Sequence, residues 1–444
     1  MYDLTRRTTI GLSAAAVIGS GARAQAPAAV AIPRADIPPP HLPIEPGATL
    51  RVVRPARFVE PDETIFRQNA ARFSERFGVP VRVDFVGWED IRPQTAVVAN
   101  TGSGPEIIIG WADDPQVYAD KLHDLSDVAE YLGARYGGWN FLPLKYGRRQ
   151  GTDRWIGVPF GGGTGPICYR ASTVREAGFD RIPDDLGQFL NLCKALHRMG
   201  KPAGFALGNA VGDGNGFANW MLWAHNAALT DEEGKVSINS RETIEALDYV
   251  KELYPTFAAG TLSWLDPSNN RAYASQDVHM TANGVSLYYA LKNDPRTRHI
   301  ADDTEHASLP KGRSADVPQG SAGLNAMVFR HVRQINAAKQ FIIYMMEAEQ
   351  YDPWLTGCLG YWSQPLAAYR ESAVWSSDRK LELFRDAMNL RRWIGYKGPV
   401  SHAAAAVNAD YVLVQMFAAV ASGQSSSRDA AREAERRARR HYRA

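Results

Sequence analysis

The sequence predicts an α/β protein of two packed units organised around parallel sheet. Three observations carry that expectation. The chain has 444 residues, longer than a single hydrophobic core usually grows. Its apolar content of 45% is enough to fill two cores. From residue 49 the text runs strand, helix, strand, helix, strand, which right-handed crossovers turn into a parallel sheet.

Taken in order, "TRRTTIGLSAAAVIGSGARAQA" joins Arg6 and Arg7 to a weakly apolar, Ala/Gly-rich run that is too short to span a bilayer. It ends in small residues at Ala22, Ala24 and Ala26. That is the pattern of an export signal over 1–26, cleaved near Ala24 or Ala26. The arginine pair points to twin-arginine export, although Thr9 departs from that pattern, and Sec export is the alternative. No cysteine lies near the cleavage region, so no lipid anchor is expected and the address is a periplasm. Residues 27–47 hold seven prolines without hydrophobic period, and predict an extended, poorly ordered leader.

"TLRVVRP" reads as a short strand. A helix opens at Asp62, a capping type, and places Phe66, Ala70, Phe73 and Phe77 on one face before Gly78 stops it. "VPVRVDFVGW" alternates, with Val79, Val81, Val83 and Phe85 on one side, as a strand near a sheet edge does. A second helix over about Asp90–Asn100 ends at "TGSGP", and "EIIIGW" reads as a strand buried on both faces. In an open sheet of this kind a ligand lies beyond the carboxyl ends of the strands. The exits at Arg54–Arg57, at Gly87-Trp88-Glu89 and at Trp111–Asp114 are therefore expected to share one rim. Further on come "RWIGVPF" and the glycine run, "ICYR" with two helices, a helix-rich stretch holding "GNGFANWMLWAHNAA", the strand and helix of "QDVHMTANGVSLYYALK", the short strand of "QGSAGLNAMVFRH", and closing amphipathic helices.

The glycine run "VPFGGGTGPICYR" follows a strand but brings no lysine and no immediate helix. A phosphate loop is thereby disfavoured. With 50 basic and 48 acidic residues the formal charge is +2, which gives no global field toward nucleic acid or an anionic membrane. The terminal "RDAAREAERRARRHYRA" interleaves acids with its arginines and reads as a solvated helix. Three cysteines, Cys168, Cys193 and Cys358, are too few and scattered for a metal cluster. Tyr288-Tyr289 lacks the carboxylate and histidine partners of a ferric site. No cofactor, no metal and no catalytic residue is assigned.

The ordered set "VGWEDIRPQTAVVANTGSGPEIIIGW", "RWIGVPF" with "ICYR", "REAGFDRIPDDLGQFLNLCKAL", "VHMTANGVSLYYALK", "SAGLNAMVF" and "GCLGYWSQPLAAY" resembles the bacterial extracellular solute-binding proteins of family 1. These are the carbohydrate-binding, maltose-binding-protein-like components of ABC importers. The resemblance covers almost the whole mature chain. It implies a type II, Venus-flytrap fold: two lobes, each a mainly parallel sheet flanked by helices, joined by hinge crossings, with the ligand clamped between them. It places 48–160 plus 284–324 in lobe one and 161–283 plus 325–444 in lobe two. The crossings then fall near Gly161–Gly165, Thr281–Gly284 and Ala322–Met327. The expected partners are a sugar or polyol and a membrane permease; the chain is expected to be a monomer, outside the membrane and without nucleic acid.

A sugar site needs flat aromatic surface and a few fixed donors and acceptors. On lobe one we assign Arg57, Trp88, Glu89, Trp111 and Asp113 from the strand exits, with alternatives as a solvated charge for Arg57, a packing ring for the tryptophans and a helix-capping acid for Asp113. Gly162 and Gly163 are assigned as backbone that passes close to the ligand or bends at a hinge. On lobe two Trp220, with Asn215 as polar partner, follows a loop-like stretch, although a helical aromatic stripe is more often core. Tyr361 and Trp362 occupy the late loop where the family places an aromatic contact, and Asn283 ends a crossing strand. The rivals are the same fold with another solute, such as an organophosphate or amino-acid derivative, and an exported carbohydrate-active enzyme. The second requires carboxylates flanking a glycosidic bond.

Overall fold

The computed structural model describes residues 32–443 apart from residue 321, so the predicted export signal lies outside the described residues. Eight strands are present among them: β1 (Leu50–Pro55), β2 (Val81–Val86), β3 (Ile107–Trp111), β4 (Val158–Gly163), β5 (Ile167–Arg170), β6 (Met280–Ala282), β7 (Thr304–Ala307) and β8 (Ala322–Met327). They form a five-stranded sheet of order β2-β1-β3-β8-β4 and a three-stranded sheet of order β6-β5-β7.

In the first sheet β1 pairs in parallel with β2 and with β3, as the βαβ pattern predicts. The alternating β2 is indeed the edge strand, and every residue of β3 is buried. The helix Glu60–Phe77 buries Phe66, Ala70 and Phe73 against this sheet, and Gly78 ends it at φ 67 with its N–H on Ser74 O. It starts earlier than expected, at Glu60, with a proline in its first turn. Asp62 is not its cap: the buried carboxylate takes two hydrogen bonds from Arg54 Nη2 at 2.8 and 2.6 Å and one from Trp354 Nε1 at 3.0 Å. A fully buried ion pair needs such extra partners to offset its desolvation.

The proline-rich leader departs from the expectation of disorder. Over 32–47 it lies on the first lobe: Ile32 is buried, Arg34 pairs with Glu349, Ala35 N–H donates to Arg135 O, and Glu45 accepts the N–H groups of Asn336 and Ala337 at the start of the helix Ile335–Met346. That helix has no cap of its own, so the leader satisfies donors that would otherwise be orphaned.

The second sheet is antiparallel, β5 running against both β6 and β7. Parallel pairing appears there only as single bridges from Ala203 to Met280 and to Phe257. The partition also differs from the expected one. β7, inside 284–324, pairs with β5 in the second sheet, whereas all of β8 lies between β3 and β4 in the first. The first passage between sheets falls at Thr164–Pro166, at the end of the expected Gly161–Gly165, whose first three glycines belong to β4. After Thr281–Gly284 the helices 285–293 and 298–303 pack in the first core, but the next strand, β7, still pairs with β5, and the chain re-enters the first sheet only at β8. It does not leave again at Ala322–Met327. The helices 335–346 and 348–357 pack in the first lobe's core, and the chain leaves after the turns ending at Asn389. The stretch 402–421 is apolar enough to cross a bilayer by composition. Tyr411, at φ 54, divides it into two helices whose Val412, Val414, Phe417 and Val420 fill the second lobe's core.

Candidate functional site

The three strand exits converge as the sheet topology requires. Trp88, beyond β2, lies 5.0 Å from Trp111, at the end of β3, and 5.1 Å from Phe58, beyond β1. Trp362 completes the group, stacked on Trp88 at 5.9 Å and 24°, with Tyr361 at 4.6 Å from it. These rings form one wall of a cavity of about 210 Å³ between the two sheets. The opposite wall comes from the second lobe, chiefly the helix Asp213–Ala224 with Asp213, Asn215, Phe217 and Trp220, joined by Asp266 and Asn283.

The glycine run has a mechanical reason. Gly161 sits at φ 142, and a Cβ there would meet Tyr351 Oη at 3.0 Å, Ser363 O at 3.1 Å and Trp362 Cβ at 3.1 Å. Gly162 N–H donates to Ser363 O at 3.0 Å, and Ser363 N–H returns to Gly162 O at 2.6 Å. A Cβ on Gly163 would stand 3.3 Å from Tyr361 O. Side chains on β4 would hold the 361–363 loop off; without them it lies on the strand and carries Tyr361 and Trp362 into the cavity. Gly163 lines the cavity and Gly162 does not.

Several buried polar atoms here lack any partner: the indole N–H of Trp111 and of Trp362, Asn215 Oδ1 and Gln319 Nε2. Leaving such groups unmet is costly, and a cluster of them around one cavity marks a place for a polar guest. Arg92 is the one cation lining the cavity among the described residues. Its Nη2 donates to Asp113 Oδ1 at 2.6 Å, and its Nε lies 3.0 Å from Asp114 Oδ1. Burial works against its charge, and the two carboxylates outweigh burial and hold it protonated. Asp114 also accepts the backbone N–H of Trp111 at 2.8 Å. Burial raises its carboxyl to about 7, against the pull of Arg92. Across the cavity burial, then the Asp266 charge, pushes Asp213 well above the carboxylate range. The Asp266 carboxylate takes N–H donors from Gly212 and Asp213.

Of the assigned residues, Trp88, Trp111, Asp113, Gly163, Asn215, Trp220, Asn283, Tyr361 and Trp362 meet at this cavity. Arg57 does not: it is exposed and pairs with Glu63 at 2.8 Å, because the turn after Pro55 sends Phe58 inward instead. Glu89 is not a lining residue; its Oε1 is buried and unpartnered, and its charge acts on Asp266 and Tyr411. Trp220 reaches the cavity from the core, since its Nε1 donates to Pro310 O at 3.0 Å and its ring packs on Phe189, Phe205 and Phe217. Asn283 is held by Asn270 and Pro166. Phe58, Arg92, Asp213 and Asp266 were missed. Arg92 and Asp266 carry no local signal; Asp213 stands just before "GNGFANWMLWAHNAA", two residues from Asn215.

The sequence profile of the family described as bacterial extracellular solute-binding protein matches residues 68–382. The chain belongs to that family. This solute-binding protein is 24% identical over 311 residues, 66% of its own length and 67% of the relative's, to the ABC transporter periplasmic-binding protein YcjN of Escherichia coli (strain K12). It superposes on the maltose-bound MalE3 of T. maritima with a TM-score of 0.73 at 18% identity, covering 88% of this chain and 99% of that one. An ABC transporter solute-binding protein from Agrobacterium vitis S4 with bound D-mannitol gives a TM-score of 0.72 at 15% identity, covering 89% and 98%. Such likenesses show the fold of this solute-binding protein: two lobes around a cleft.

Proposed function

We propose that the protein captures a sugar or polyol in this cleft and delivers it to the permease of an ABC importer. One observation carries the reading: a cavity walled by indole rings in which two indole N–H groups and an amide oxygen, all buried, have no partner. Sugar C–H faces suit the rings, and hydroxyls both accept from the indoles and donate to the amide. Trp111 and Trp362 come from the first lobe and Asn215 from the second, so a guest touching all three favours the closed form over the open one. MalE3 with maltose and the A. vitis protein with D-mannitol, sharing this fold, support the choice. The family and YcjN support a periplasmic location and permease partners; the arginine pair at Arg6-Arg7 supports twin-arginine export.

An anionic solute is disfavoured because the lining cation, Arg92, is already paired with Asp113 and Asp114. Glycoside hydrolysis is disfavoured because, of the carboxylates lining the cavity, Asp113 is engaged by Arg92 at 2.6 Å and Asp266 is occupied by backbone N–H groups, which leaves Asp213 without a free partner across the cavity. A thermal-shift screen against neutral sugars, polyols and their phosphates tests the reading. A neutral ligand at a hundred times its Kd adds about 2.7 kcal/mol. Stabilisation by phosphorylated compounds alone, or turnover of chromogenic glycosides, overturns it.

A further inference from the structure

The cleft is lopsided in its chemistry. The first-lobe wall presents donors without partners, the indole N–H groups of Trp111 and Trp362. The second-lobe wall presents acceptors. Asn215 is only 4% exposed, and its Nδ2 donates to Val211 O at 3.1 Å and Asn408 O at 3.3 Å. Those two carbonyls decide which way the amide faces and leave Oδ1 as an unpartnered acceptor. Asp213, two residues earlier on the same helix, lines the same cavity. Asp266 beside it is held by backbone N–H groups rather than by a cation, so no counter-charge stands next to Asp213. The cavity's cation, Arg92, belongs to the other wall and to Asp113 and Asp114. A hydroxyl donates one hydrogen bond to such acceptors and leaves the charge standing; an ammonium donates up to three and neutralises it.

Resting on the sugar or polyol reading above, we propose that the guest carries a protonated amine, as an amino sugar or aminocyclitol does, and that Asp213 receives the ammonium with Asn215 Oδ1 as a second acceptor. The elevated Asp213 carboxyl agrees with a group that lacks a counter-charge and so holds a proton in the unliganded cleft, a proton released to solvent when the ammonium takes its place.

The test is calorimetry on the full exported chain at about pH 6, below the titration range of an amine. The probes are matched pairs: glucose with glucosamine, galactose with galactosamine, and cellobiose with the chitosan disaccharide. The expected result is that at least one amino member binds tenfold or more tightly than its hydroxyl counterpart, and that Asp213→Asn removes this preference. Equal or tighter binding of the neutral members overturns the proposal and leaves the sugar reading standing. A preference that survives Asp213→Asn overturns it too. Silence from every pair, together with silence from the neutral panel, overturns the sugar reading and this proposal with it.

Discussion

Trp220 and Trp362 carry the same ring and play opposite parts. Trp220 has its N–H on Pro310 O and its faces against three phenylalanines, so truncation removes core. Trp220→Ala is expected to cost about 3–5 kcal/mol, read as a lowered urea midpoint. Trp362 keeps an unpartnered N–H at the cavity. Trp362→Ala is expected to weaken the sugar or polyol found in the screen by tenfold or more, about 1.4 kcal/mol, with a smaller loss of stability. Arg57→Ala is expected to leave affinity unchanged, because an exposed pair such as Arg57–Glu63 contributes under about 1 kcal/mol and lies off the cavity; a shift of more than twofold in Kd contradicts that placement. Sequence reading placed Trp111 at the cavity from a strand exit and Trp362 from the loop where the resembled family has an aromatic contact. It assigned Arg57 in place of Phe58 because which side chain of a turn faces inward depends on the path after Pro55, which neighbouring strands impose.

At the scale of elements, β4 shows why a glycine run invites a wrong chemical reading. It resembles a phosphate loop until the absent lysine is noticed, and its actual partner, the 361–363 loop, lies two hundred residues along the chain. Gly161→Ala forces a side chain into a left-handed backbone and against Tyr351, Ser363 and Trp362. The expected outcome is a lower melting temperature together with weaker ligand binding, since the displaced loop holds Trp362. Full retention of both would show that the loop does not depend on that glycine. The helix Glu60–Phe77 was readable in its buried face and in Gly78. Its start was not, because Asp62 answers to Arg54 and Trp354 rather than to the helix end.

At the scale of the molecule, His306 on β7 joins the second sheet to the turns that pack on β4. Its ring lies 5.6 Å from Tyr288 and 4.9 Å from Phe384, edge to face with both. Burial, then the Lys380 charge, lowers its pKa to about 4, with Glu305 and Asp378 opposing. The unfolded chain takes up this proton near the ordinary pKa of about 6.5, so the stability it reflects is full above that pH and is lost as pH falls from about 6.5 to about 4. His306→Phe is expected to flatten the acid limb of the melting-temperature profile in that window, by no more than about 3 kcal/mol. A profile parallel to that of the unchanged protein sinks the assignment. The partition between lobes belongs to this scale as well. Reading along the chain placed 284–324 with the first lobe; the helix 285–293 packs in that core, whereas β7 pairs with β5 in the second sheet.

What the amino-acid sequence determined alone is what local pattern encodes: the parallel direction of β1, β2 and β3, the rim where Trp88 and Trp111 meet, and the special character of the glycine run. Periodicity and backbone sterics act over a few residues and leave their mark in the text. Only the tertiary structure decided that β8 inserts between β3 and β4, that the leader caps a helix three hundred residues away, and that Asp213 faces Asp266 with Arg92 engaged elsewhere. Those outcomes depend on which charges and strands share a neighbourhood once the chain has folded, and distance along the chain carries no record of that.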